Sequence, residues 1–165
     1  MWRRPFVTLP DCAVTRLDPQ TTRLDLQSKS MTLPSTIRAG LSGTAELVVG
    51  EEHTAPRVGS GRVAVLATPV MINLIEAAAL AAIENLLPEG YQSLGTVLNV
   101  RHIAATPVGM KARALVEVVK VEGRTVFFSV ECKDEKELIG DGRHERVVVN
   151  VAKFAQRVQR KLEES

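Results

Sequence analysis

Residues 67–86 read ATPVMINLIEAAALAAIENL, and no other stretch constrains the fold as strongly. Thr68-Pro69 marks a helix start. Threonine is a good N-cap, and proline suits the first helical position, where its missing N–H costs nothing. The helix is expected from about 69 to 86, ending near Pro88-Glu89-Gly90. It is apolar on nearly all sides, so other protein must surround it. Position 76 is nevertheless a glutamate. One reading places it at a rim or in a salt bridge with an arginine. The other makes it a desolvated carboxylate kept as a base or nucleophile, because burial raises its proton affinity.

The segments around this helix read as strands. LSGTAELVV (41–49) is extended, and EEHTAPRVGSGRVAV (51–65) is a loop with a short helical turn, punctuated by Pro56, Gly59 and Gly61. Four extended segments follow at 94–105, 110–122, 124–134 and 137–151, the last with a glycine-bearing bulge or bend at 140–142. A polar helix at 152–164 closes the chain. Strands joined by short turns pair antiparallel. The expected class is therefore α+β: one long central helix wrapped by a curved antiparallel sheet of about five strands, or pressed against a second subunit.

A chain of 165 residues fits one domain, expected over 36–165. Residues 1–35 hold no sustained periodicity and read as a leader or disordered extension. Their arginines and hydroxyls suit an organelle-targeting segment, and their three aspartates argue against one. They also carry the whole net charge of +2, so the body shows no basic surplus and no nucleic-acid partner is expected. Cys12 and Cys132 lie far apart in unlike contexts, with neither disulfide nor zinc spacing. A reducing, cytoplasmic location follows, with organelle import as the alternative. Asn73, Glu76 and Glu84 interrupt the longest apolar run below the roughly 18 residues of a membrane span, so no membrane partner is expected.

Five positions stand out for chemistry. Glu76 is the first. His102 shares a mainly apolar strand face with Leu98, Val100 and Ala104, directed at the helix. A core histidine bonded to a backbone carbonyl is the simpler account, and a carboxylate–imidazole pair with Glu76 is the sharper one. Thr68 caps the helix, whose free N–H groups could also face a ligand oxygen. Thr68 and Glu76 stand about 12 Å apart along a helix, so one carbonyl meets both only if the helix start is irregular or two subunits share the site. Gly95 relieves a turn or lets a ligand approach the backbone. Arg146 shares a face with His144 and Val148 and suits a phosphate or carboxylate, or is a solvated edge-strand charge. Phosphate-binding loops, nucleophile elbows and metal-ligand spacings are absent from the sequence, which disfavours kinase, serine hydrolase and metal chemistry.

LVVGEEHTAP, VLATPVMINLIEAAA, SLGTVLNVRHIAATPVGM and IGDGRHERVVVNVAKF, in this order, resemble the fluoroacetyl-CoA thioesterase-like family of hot-dog-fold proteins over roughly 38–160. The resemblance implies a hot-dog fold paired into a homodimer, and hydrolysis of short-chain acyl-CoA thioesters to the free acid and CoA. It puts the family's catalytic threonine, glutamate and histidine on Thr68, Glu76 and His102. Its backbone-donating glycine falls on Gly95 and its HER arginine on Arg146. CoA enters only as part of the substrate, and no cofactor or metal is implied. One departure stands out. The fluoroacetate-specialised enzyme has phenylalanines in the loop before the threonine, where RVGSGRVAV (57–65) has no aromatic. A broader short-chain or branched acyl-CoA thioesterase is therefore expected. The alternatives are an acyl-CoA binder or sensor without turnover and an enoyl-CoA hydratase, whose Asp-then-His spacing is missing here.

Overall fold

The apolar run forms helix α2, Thr68–Ile83, followed by a 3-10 turn at Glu84–Leu86. The computed structural model describes residues 32–163. In chain order they form β1 (Ser42–Val48), a 3-10 turn (Glu51–His53), α1 (Ala55–Val58) and α2. Then come β2 (Tyr91–His102), β3 (Lys111–Glu122), β4 (Thr125–Asp134), β5 (Leu138–Asn150) and α3 (Val151–Glu163). One compact unit ends at Val151, and Ala152–Glu163 is counted with a second. By itself that segment is a helix with Arg160 and Lys161 in its last turn, where cations complement the helix dipole. Most of the expected 1–35 leader lies outside the described residues. Within the part that is described, Leu33 already packs into the core.

The five strands form one antiparallel sheet in the order β1-β3-β4-β5-β2, curled around the central helix. The α+β expectation holds. β1 and β2 are the two edges, so β5 is an interior strand. Alternation sets the faces. In β3, Ala112, Ala114, Val116 and Val118 are buried, while Lys111, Arg113, Glu117 and Lys120 are exposed. The inner face meets Met71, Leu74, Ile75, Ala78, Ala79, Ala82 and Ile83 of α2. Aromatics are few, and Phe128 is the largest side chain with under 2% exposure.

Two local expectations change. The N-cap of α2 is Ala67 and makes no side-chain cap bond, so Thr68 is the first helical residue and not the cap. Proline is tolerated at either of the first two helical positions, because neither N–H has an intrahelical acceptor. The 140–142 irregularity moves to its neighbour: β4–β5 pairing slips at Ile139, and pairing runs through Gly140–Gly142 in step with both neighbours. Glycine is still required there. A Cβ on Gly142, at φ +151°, would lie 2.2 Å from the Asn99 carbonyl oxygen.

The membrane argument also changes. Counted through the 3-10 turn, Thr68–Leu86 is 19 residues and apolar enough to cross a membrane by length and composition. Its packing assigns it instead to the core, since one face lies against β1 and β3. The opposite side of α2 is open, with Asn73, Ala77, Leu80 and Ala81 exposed. The full enclosure expected for this helix is thus met on one side only within a single chain.

Gly43 sets the closest approach of helix to sheet. A Cβ there would lie 2.2 Å from the Ala78 carbonyl oxygen and 2.6 Å from the Ala82 nitrogen, both backbone atoms that move only with the helix. Gly43→Ala should therefore destabilise the fold by about 1–3 kcal/mol, read as a loss of several degrees in Tm. Ser42→Ala, at the exposed neighbour, should stay within about 0.5 kcal/mol. Equal melting temperatures for the two variants would refute this account of the contact.

Candidate active site

Glu76 sits in the third turn of α2 and reaches toward β2. A Cβ built on Gly95 would lie 2.2 Å from Glu76 Oε1, so a side chain at 95 would displace the carboxylate. The other oxygen, Oε2, is 3.4 Å from Arg146 Nη1. Arg146 stands on β5 opposite Gly95 in the β2–β5 ladder. Its side chain is 3% exposed, against 35% for Glu76. The glutamate is thus an ion-paired carboxylate with one side open, which matches the arginine-paired reading and falls short of the fully desolvated one.

The arginine answers a further expectation. It is buried on an interior strand, so the solvated edge-strand reading fails. Nε donates to Ser93 Oγ at 2.9 Å and Nη2 to the Ser93 carbonyl at 2.8 Å. Nη1 lies 3.4 Å from His144 Nε2. The carboxylate it binds is Glu76, and the rim position needed for a CoA phosphate is absent. Two further basic residues of the sheet are engaged at the surface: Arg101 pairs with Asp141 and Lys111 with Glu46.

His144 is fully buried and stacks on Phe128 at 5.9 Å between ring centroids. Burial pushes its pKa down, against an upward pull from the Val97 carbonyl and Glu76; Arg146 lowers it further. The ring is therefore neutral at pH 7. Its Nδ1 lies 2.8 Å from the Val97 oxygen, which only accepts, so Nδ1 carries the proton and Nε2 accepts from Arg146.

At the start of α2, Thr68 Oγ1 lies 2.9 Å from His102 Nδ1. Burial lowers the His102 pKa, against a smaller upward pull from the Ala104 backbone. Among the described residues its Nε2 is buried without a hydrogen-bond partner. Beside this pair opens a hollow of about 340 Å³, lined largely by Ala55, Val65, Leu66, Ala104 and Ala105.

A bulge makes both ends of β2 face inward. Pairing passes from Gly95↔Arg146 to Val97↔Glu145, leaving Thr96 extra. Strand alternation alone would send Gly95 and His102, an odd number of residues apart, to opposite faces. The extra residue returns His102 to the inner face.

The structure therefore groups the five candidates as two sets. Glu76, Gly95 and Arg146 meet at one place, and Thr68 and His102 at another. The expected Glu76–His102 pair does not form within one chain. The helix and β2 pass in opposite directions, so Gly95 faces Glu76 and His102 faces Thr68 two turns away. Sequence reasoning missed Ser93 and Glu84. Ser93 Oγ donates to Glu84 Oε2 at 2.6 Å, and Ser93 N–H to Glu84 Oε1 at 3.1 Å. The available signal was weak: a serine two residues before Gly95 on the same strand face, and a second glutamate eight residues after Glu76.

Similar proteins were found by sequence and by structure. The family model described as fluoroacetyl-CoA-specific thioesterase matches residues 49–152. The fluoroacetyl-CoA thioesterase of Streptantibioticus cattleyicolor is 40% identical over 97 residues, 59% of this chain and 70% of that protein. The solved structure of the fluoroacetyl-CoA thioesterase FlK superposes with a TM-score of 0.72 at 34% identity, covering 76% of this chain and 97% of that one. A variant of FlK has been solved with fluoroacetate and CoA. A thioesterase superfamily member from Thermus thermophilus gives a TM-score of 0.71 at 35% identity, over 78% of this chain and 94% of its own. The chain belongs to the fluoroacetyl-CoA-specific thioesterase family, a family of thioester hydrolases, on the hot-dog fold.

Proposed function

We propose that this chain hydrolyses short-chain acyl-CoA thioesters to the free acid and CoA, with Glu76, His102 and Thr68 as the reacting set. The observation that carries this reading is the Glu76 carboxylate, ion-paired to a buried arginine and set against a glycine backbone. The missing Cβ at Gly95 is what lets the carboxylate oxygen sit directly against the β2 backbone. The small apolar residues of the hollow beside Thr68 suit a short or branched acyl group. The loop 57–65 supplies no aromatic wall, so discrimination for a fluorinated acyl group is not expected.

Glu76 either attacks the carbonyl, expelling the thiolate and forming an anhydride that water then opens, or takes the proton of a water that attacks the carbonyl directly. The positive end of α2 or the backbone at Gly95 stabilises the oxyanion. Thr68 fixes the His102 ring, and the neutral ring accepts the proton released as water attacks and hands it to the departing thiolate. The balance is acyl-CoA plus water giving acid plus CoA, with no cofactor called for.

The separation of the two groups bears on assembly. α2 is regular from its first turn, with the Val70 and Met71 N–H groups both bonded to the Ala67 carbonyl. The option of an irregular helix start is thereby removed. We accordingly place the site between two copies, as a homodimer in which Glu76 of one subunit meets Thr68 and His102 of the other.

Thiol release from acetyl-, fluoroacetyl-, propionyl-, isobutyryl- and hexanoyl-CoA tests the activity. Glu76→Gln should lose about 10²–10⁴-fold in kcat while remaining folded. Turnover equal to wild type would remove Glu76 from the mechanism, and absence of turnover on every ester would favour a binder.

The depressed pKa of His102 fixes the sign of the pH dependence. The ring is neutral above its ordinary value and charges only below it. kcat/KM should thus be level near neutral pH and fall on the acid side, below about pH 6.5. A limb above neutrality that disappears in His102→Gln would contradict the assignment.

Mixing two inactive variants tests the shared site. Co-refolded Glu76→Gln and His102→Ala chains should recover about a quarter of wild-type activity, because half of the mixed dimers' sites are intact. No recovery, with mixed dimers demonstrated, would confine each site to one chain.

A further inference from the structure

We propose that Glu84 and Ser93 are positioning residues for Glu76, acting through the guanidinium of Arg146. The inference rests on the reading of Glu76 as the reacting carboxylate.

The hydrogen bonds have a fixed direction. Glu84 accepts from both the hydroxyl and the N–H of Ser93, at 2.6 and 3.1 Å. The single hydroxyl proton of Ser93 is thereby committed to Glu84, and its lone pairs turn to Arg146 Nε at 2.9 Å. The Ser93 carbonyl takes Nη2 at 2.8 Å. One edge of a planar, rigid fork is clamped on a single residue. That clamp decides where the remaining corner, Nη1, stands. Nη1 lies 3.4 Å from Glu76 Oε2 and 3.4 Å from His144 Nε2. The short contacts are on the Ser93 side and the long ones on the Glu76 side, so Ser93 holds the arginine and the arginine guides the glutamate.

The circuit closes through the backbone. Glu76 lies in α2, and Glu84 caps its C-terminal end. Ser93 lies on β2 and Arg146 on β5. The helix is tied to the sheet at two points eight residues apart, with the guanidinium between them. A second carboxylate also shares the arginine's charge through the serine hydroxyl. Glu76 is then not its only counterion and keeps Oε1 directed at Gly95. Neither Glu84 nor Ser93 lies against Thr68, His102 or the hollow beside them, so their effect reaches the reaction only through Arg146.

The test compares Ser93→Ala, Ser93→Thr and Glu84→Gln, each alone and combined with Glu76→Gln, by kcat, KM and Tm. Ser93→Ala should lower kcat about 10- to 100-fold, with KM changed by less than about twofold. Ser93→Thr, which keeps the hydroxyl, should restore most of it. In the Glu76→Gln background Ser93→Ala should take nothing further from kcat, although Tm falls in both backgrounds. Should Ser93→Ala not fold, Glu84→Gln preserves the shape and should give the same kinetic pattern. Wild-type kcat in both Ser93→Ala and Glu84→Gln, or an equal fold-loss with and without Glu76, overturns the positioning role while Glu76 stands. Full activity in Glu76→Gln alone overturns the reading of Glu76 and the positioning role together.

Discussion

The guanidinium of Arg146 is the interaction on which the rest depends. Its side chain is 3% exposed, and a buried cation left without partners costs several kcal/mol. Three elements meet that demand. β2 gives the hydroxyl and carbonyl of Ser93, α2 gives Glu76 and, through Ser93, Glu84, and β5 gives His144. Each partner must come from the correct face. A slip of β2 by one residue against β5 would turn Ser93 and Gly95 outward together and leave the cation bare. The polar cluster therefore specifies the register that the apolar residues of the sheet merely permit.

That demand also explains the histidine beside it. A charged imidazole next to the guanidinium would add a second buried cation, and burial with Arg146 nearby holds the His144 pKa down. Neutral, with its proton on Nδ1 toward Val97, the ring offers an acceptor to the arginine and a flat face to Phe128. A residue that could pass for a catalytic base is in this setting a packing and hydrogen-bonding element. His102, by contrast, has one nitrogen on a threonine and the other without a partner among the described residues.

Much of this architecture was legible from local pattern. The apolar run 67–86, the extended segments at 110–122 and 124–134 and the helix end before Pro88-Glu89-Gly90 each correspond to an observed element. Arg146 and His144 were legible as neighbours on one strand face. What escaped was non-local. Whether Arg146 is wet or buried depends on β5 lying between β4 and β2, and the crossover that puts β2 at the far edge leaves no mark within β5. The bulge at Thr96 decides that His102 faces the helix from a strand where Gly95 does too, and only a glycine beside it hinted at a break. The cap was misplaced by one residue because Thr-Pro satisfies two registers of a helix start equally well. Ser93 and Glu84 are joined across a turn in three dimensions, and neither residue type announces that alone.

The two-part site gives a physical account of the helix's composition. A helix covered on one side normally carries polar residues on the other. α2 instead shows Ala77, Leu80 and Ala81 to solvent in the single chain. This exposed apolar side belongs to the same helix whose first turn holds Thr68 and whose third holds Glu76. These two groups stand about 12 Å apart along the axis, too far for one carbonyl carbon to meet both within hydrogen-bond reach. Bringing a second copy against that uncovered side would bury the stripe and could set one subunit's carboxylate against the other's imidazole. On this arrangement the apolar surface that drives association and the division of the reacting groups are two consequences of the same helix. Turnover would then depend on protein concentration wherever the dimer is weak.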